Sequence, residues 1–246
     1  MLALMAARAG ASRVVTCEQD AVLAALAREI IALNGFGERV AIVRKRAQAL
    51  EVGVDLDRPA DLLFCDIFSD NMLGFTPLGV LADARQRLLA PGAPVVPRAG
   101  VIRLALANWT GYSSTCQMGG NAGFDLSPMA TFLPETFGIG TGSPALTLLS
   151  RDADAFRFDF SARQHPSSDR RVILLESLTD GSANGIVQWI RLELDDETAF
   201  EIRPEQGSAF WLASQFHPLP REVRLQRHDV VEVQIEHDGT QVTIWT

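Results

Sequence analysis

The chain has little cysteine and almost no lysine. It also lacks any apolar run approaching the roughly 18 residues that a membrane helix needs. Its three cysteines, Cys17, Cys65 and Cys116, are widely spaced and odd in number, and no C-x-x-C occurs. With only four histidines scattered among them, no zinc pattern forms. No metal is expected, and a reducing, cytoplasmic setting is the simplest one. Of 22 basic residues only Lys45 is lysine, which reads as compositional bias before function. A formal charge of −8 and a pI near 5.0 argue against a broad nucleic-acid binder. Met1 to Ala11 is apolar but has no basic n-region, and Arg8 interrupts it, so it is no signal peptide. There is no G-x-S-x-G. Gly140-Thr-Gly-Ser-Pro144 has no following lysine or helix, so it makes no phosphate loop.

What is present divides into two textures. Helix and strand alternate over residues 1–97. Helices are expected at Met1 to Ala9, Gln19 to Leu33 and Pro77 to Leu89. Val22, Leu23, Leu26, Ile30 and Leu33 fall at helical spacing. Strands are expected at Arg13 to Cys17, Arg39 to Val43 and Ala60 to Ile67. In the last of these, the run Leu62-Leu63-Phe64 suggests burial on both faces. Such alternation predicts a parallel sheet covered by helices. Over 98–246 short alternating stretches replace the helical period, with Asp238-Gly239 as a hairpin turn. This half reads as an antiparallel sheet or barrel. The first half opens on a helix, although such domains usually open on a strand and a glycine-rich turn.

The run from Met1 to Glu18 is similar to the first helix and second strand of S-adenosylmethionine-dependent methyltransferases. It resembles the protein arginine methyltransferases most, in the branch of the monomethylating enzyme and its bacterial relatives. Arg28-Glu-Ile-Ile-Ala-Leu-Asn-Gly-Phe36, Leu88-Leu-Ala-Pro-Gly-Ala-Pro-Val-Val-Pro97, Gly123-Phe-Asp-Leu-Ser-Pro128 and Asn184-Gly-Ile-Val-Gln-Trp189 follow in the family's order. The resemblance implies an α/β fold: a Rossmann-like cofactor domain at 1–97 with its first strand missing, then an antiparallel β-barrel substrate domain at 98–246. It implies S-adenosylmethionine as cofactor and methyl transfer to a nitrogen, either of a protein or peptide arginine or of a small cationic molecule. It also implies a homodimer, while the hydropathy and the acidic charge argue for no membrane and no specific nucleic acid as partner. The alternative is a non-catalytic binding or dimerisation module of the same fold.

Residue by residue, Glu18 ends the second strand, where a carboxylate can accept both ribose hydroxyls. It would otherwise be an acidic residue favoured at a helix start. Ala47 and Gln48 follow the third strand, where the family meets the adenine. Their other reading is a solvated basic turn. Asp66 stands where the family places the first of two glutamates that hold the guanidinium. Otherwise it caps a strand end. The second of those positions is Phe75, and Asp70 lies five residues before it. Phe210-Trp211 replaces the family's His-Trp pair, and His217 reads as a surface or barrel-edge residue. The tryptophans read as core or interface anchors, and Cys17 and Cys65 as small buried residues. The family's Asp-x-Gly-x-Gly strand end is absent, so weak cofactor binding and low stability are expected of an N-terminally truncated chain.

Overall fold

The computed structural model describes residues 1–112, 119–121, 124–125, 132–162, 164–207 and 212–246. Two compact units emerge. The first comprises Met1–Asp66, Leu78–Val96 and Phe160–Gln164, and the second the remainder. Among the described residues no helix is long and apolar enough to cross a membrane.

The first unit runs α1 (Leu2–Arg8), β1 (Val14–Cys17), α2 (Ala21–Leu33), β2 (Val40–Val43), a 3-10 turn (Ala47–Ala49), β3 (Leu63–Phe64), α3 (Pro77–Arg87) and β4 (Val95–Val96). β1 pairs with β2 in parallel, Val14 opposite Val40 and Cys17 opposite Val43. β3 pairs with β4 in parallel. Each pair is joined through a helix, the connection parallel strands require. Side chains alternate across the strands. Val15, Cys17, Val43 and Leu63 pack with Leu50, Leu56, Ala84 and Leu88. Val14 and Ile42 join Ala7, Ile31 and Val40 in a separate cluster.

Asp20 starts α2 by accepting from the backbone N–H groups of Val22 at 2.8 Å and Leu23 at 2.9 Å. Gly35 ends it in a left-handed conformation, φ 74°. The face that α2 buries is unexpected. Ala24 and Ile31 point inward, whereas Val22, Leu26 and Leu33 are 75%, 50% and 80% exposed. Small residues let the helix lie close to the strands, and the larger stripe is left outside. The strand expected at Ala60 to Ile67 shrinks to two residues, with Leu62 and Phe64 exposed rather than buried. Only Leu63 of that run reaches the packed side.

Beyond a loop, Ile67–Pro77, and a short helical stretch at 110–112, the described residues of the second unit are mainly β strands and their connections. Its strands are β5 (Ala99–Trp109), β6 (Gly119–Asn121), β7 (Phe124–Asp125), β8 (Phe137–Ile139), β9 (Leu146–Leu148), β10 (Ala153–Asp159), β11 (Asp169–Glu176), β12 (Gly181–Glu193), β13 (Ala199–Glu201), β14 (Ser214–Leu225), β15 (Val230–His237) and β16 (Val242–Trp245). The main sheet runs β10-β5-β12-β14-β8, with β13 on β12 and β9 on β5. A second sheet runs β11-β15-β16. Its β15–β16 hairpin turns at Gly239, φ 84°, where the sequence signal lies. One face of the main sheet packs Ala105, Ala107, Ile139, Val187, Trp189 and Phe216. Of the remaining tryptophans, Trp109 packs against this cluster.

Candidate functional site

Glu18 directly follows β1. Its backbone N–H continues the ladder to the Val43 carbonyl, 3.0 Å. One carboxylate oxygen accepts from the Asp20 N–H, 2.8 Å, which steadies the turn into α2. Beside it, Arg46 Nε donates to Gln19 Oε1 at 2.6 Å, tying the turn after β1 to the turn after β2. The 3-10 turn begins at Ala47, so the N–H groups of Ala47 and Gln48 have no partner within it. The turn is clamped from behind. Arg87 of α3 donates to the carbonyls of Leu50, 2.8 Å, and Gln48, 3.0 Å, while paired with Asp83. Lys45 is paired with Asp55 at 2.7 Å, so the basic run is internally engaged. The Cys17 thiol is held above its ordinary range, first by burial and then by the adjacent Glu18 charge.

Asp66 lies two residues beyond β3. It is exposed and makes no hydrogen bond or ion pair with another described residue. Thus Glu18, Ala47–Gln48 and Asp66 each follow the carboxyl end of a parallel strand, where open α/β sheets present ligand-binding groups.

In the second unit Asp70 is committed elsewhere. Its Oδ1 accepts from the Ala213 N–H at 2.9 Å. Phe75 is 59% exposed. Phe210, Trp211, Cys116 and most of the segment 123–128 lie outside the described residues. His217 is not at the surface. It is 6% exposed, its Nε2 lies 3.2 Å from Gln188 Oε1, and burial lowers its pKa to about 4. The Gln188–His217 pair was missed in the sequence because Gln188 sits in an apolar strand. Among the described residues no cluster of His, Cys, Asp and Glu could hold a metal ion.

A structure of Trypanosoma brucei PRMT1, an enzyme-prozyme heterotetrameric complex with AdoHcy, superposes with a TM-score of 0.84. It is 17% identical and covers 95% of this chain and 74% of that one. The fold is therefore an α/β methyltransferase fold with a sheet-rich part. No family model matches the chain. An arginine N(omega)-methyltransferase of Streptomyces achromogenes subsp. streptozoticus is 27% identical over 236 residues, covering 96% of this chain. The chain is thus similar to an arginine N-methyltransferase over nearly all of its length. Protein arginine N-methyltransferase 7 of Drosophila grimshawi is 31% identical over 211 residues, or 80% of this chain. That of Drosophila melanogaster is 28% identical over 255 residues, or 93%. The chain spans 65% of the Streptomyces relative and 30% and 36% of the two fly relatives.

Proposed function

We propose that the chain acts as an S-adenosylmethionine-dependent arginine methyltransferase. The observation that carries this reading is the set Glu18, Ala47, Gln48 and Asp66, each at the carboxyl end of a parallel strand, in a relative of such enzymes. The residues fit the cofactor. Glu18 keeps one carboxylate oxygen beyond its bond to Asp20 for ribose hydroxyls. The turn at Ala47 and Gln48 offers two backbone N–H donors for an adenine edge. When bound, S-adenosylmethionine supplies an electrophilic methyl group. Asp66 accepts hydrogen bonds from the substrate guanidinium, offsets its charge and aims one nitrogen. The substrate is a protein or peptide arginine or a small cationic molecule.

We further assign residues 1–97 to cofactor binding and 98–246 to the substrate, with the β strands of the latter forming a barrel. A strand position is assigned between β1 and β3. Among the described residues β1 pairs only with β2 and β3 only with β4. Leu2, Met5, Ala6 and Phe64 line an apolar groove of about 380 Å³ nearby. A homodimer is supported by the exposed stripe on α2.

The second reading, a non-catalytic module, is favoured by one observation: Asp70 is engaged with Ala213 and Phe75 takes the other carboxylate position. The two readings separate on labelled methyl transfer to arginine-rich peptides. Asp66→Ala should abolish transfer if the chain is an enzyme. Wild-type protein that binds S-adenosylmethionine yet transfers nothing to arginine-rich peptides or to small guanidinium compounds would favour the non-catalytic module.

A further inference from the structure

The Ile67–Pro77 loop is held at many points. Phe68, Met72 and Leu73 are 2%, 0% and 0% exposed. Asn71 Oδ1 accepts from the N–H groups of Leu73, 3.0 Å, and Gly74, 2.9 Å, and from the Ser69 hydroxyl, 2.7 Å. The Ser69 oxygen accepts from the Gly74 N–H at 2.8 Å. A Cβ on Gly74 would stand 2.8 Å from that oxygen, so the turn admits only glycine without rearrangement. Asp70 adds the bond to Ala213 at the start of β14. Met72 and Thr76 sit at φ 69° and 52°, left-handed conformations that are costly for a β-branched residue. A loop this constrained buries three apolar side chains and still leaves the Phe75 ring 59% exposed.

We propose that Phe75 is the specificity-determining residue of the substrate site, stacking on a flat cation such as a guanidinium, and that Asp70 is a positioning residue for the loop that carries it. This rests on the arginine-methyltransferase reading, in which Phe75 stands at the position of the second guanidinium-holding glutamate. An aromatic face attracts cations through its quadrupole. A planar guanidinium stacks there better than a compact, strongly hydrated ammonium. In a chain of net charge −8, long-range attraction of a cationic substrate needs no second carboxylate at the loop. Asp70 then matters as a hydrogen-bond acceptor and not as a charge.

The test is binding of the full chain, without cofactor, to two fluorescent peptides that differ only in one Arg or Lys. Wild type should prefer the Arg peptide, and Phe75→Ala should lose about 2- to 30-fold in its affinity. Phe75→Trp should keep the preference. Asp70→Asn, which retains the acceptor for Ala213, should behave as wild type, whereas Asp70→Ala should weaken the preference. No preference in wild type, or an unchanged preference in Phe75→Ala, overturns the assignment of Phe75. Equal loss in Asp70→Asn and Asp70→Ala overturns that of Asp70, since the charge would then be what is read. Methyl transfer is measured separately, so a chain that binds through Phe75 and transfers nothing removes only the enzymatic reading.

Discussion

The side-chain amide of Asn184 pairs with the backbone of Trp109 on both sides. Its Oδ1 accepts from the Trp109 N–H at 2.8 Å and its Nδ2 donates to the Trp109 carbonyl at 3.0 Å. The register of β12 against β14 shifts here, between Ala183 and Gly185. Asn184 thus extends the β5–β12 ladder past its last backbone pair, Gly185 with Ala107. Replacing Asn184 with Ala leaves two backbone groups without partners. A loss of about 2 kcal/mol is expected, read as a lower urea midpoint with an unchanged m-value.

The neighbouring Gly185 is required by the Phe216 ring. A Cβ there would lie 2.1 Å from Phe216 Cζ, and Phe216 is wholly buried. Gly185→Ala should therefore cost about 3 kcal/mol through overpacking. The double variant Gly185→Ala, Phe216→Leu should lose less than the sum of the two single losses. Strict additivity in thermal or chemical unfolding would mean that the ring moves aside freely.

Trp189 is buried beneath a charged network. Its Nε1 donates to Glu201 Oε1 at 2.7 Å, and Arg103 pairs with the same oxygen at 2.7 Å. Arg103 and Arg203 both lie 5.8 Å from the Trp189 ring. Glu201→Ala leaves the indole donor and part of the Arg103 charge unpaired and should cost about 2–3 kcal/mol. Asp154→Ala removes a half-exposed partner of Arg103 and should cost under about 1 kcal/mol. Equal losses would show that burial does not set the worth of these pairs.

His217 makes stability depend on mild acid. Its pKa is about 4 in the folded protein because burial disfavours the imidazolium, against about 6.5 when unfolded. Between these values the unfolded chain binds more protons, so stability is complete above pH about 6.5 and falls as pH drops toward 4. The full shift corresponds to about 3 kcal/mol. Unfolding midpoints across this range should fall in wild type and fall less in His217→Gln. Parallel profiles would assign the acid sensitivity to other groups.

The alternation of helices and strands was legible because α2 and β2 carry local signals: apolar residues at helical spacing within Gln19 to Leu33 and a β-branched run within Arg39 to Val43. Which face of α2 turns inward was not. A helix apolar on both sides gives no unique stripe, and close approach to the strands selects Ala24 over Leu26. The two-residue length of β3 was likewise hidden, since Leu62-Leu63-Phe64 reads as a buried strand whatever it meets. For the candidate site, position at strand ends could be read for Glu18 and Asp66. The commitment of Asp70 to Ala213 could not, because it joins residues 143 apart in sequence.

The pairing of Lys45 with Asp55 has a practical outcome. As the chain's single lysine, Lys45 offers the one internal amine to acylating reagents, three residues before Gln48. Its side chain is 35% exposed, open enough to react. A dye coupled there through an amide would mark one address beside the turn proposed to meet adenine, and if that proposal holds its emission should change on adding nucleoside, with no methyl transfer needed to see it.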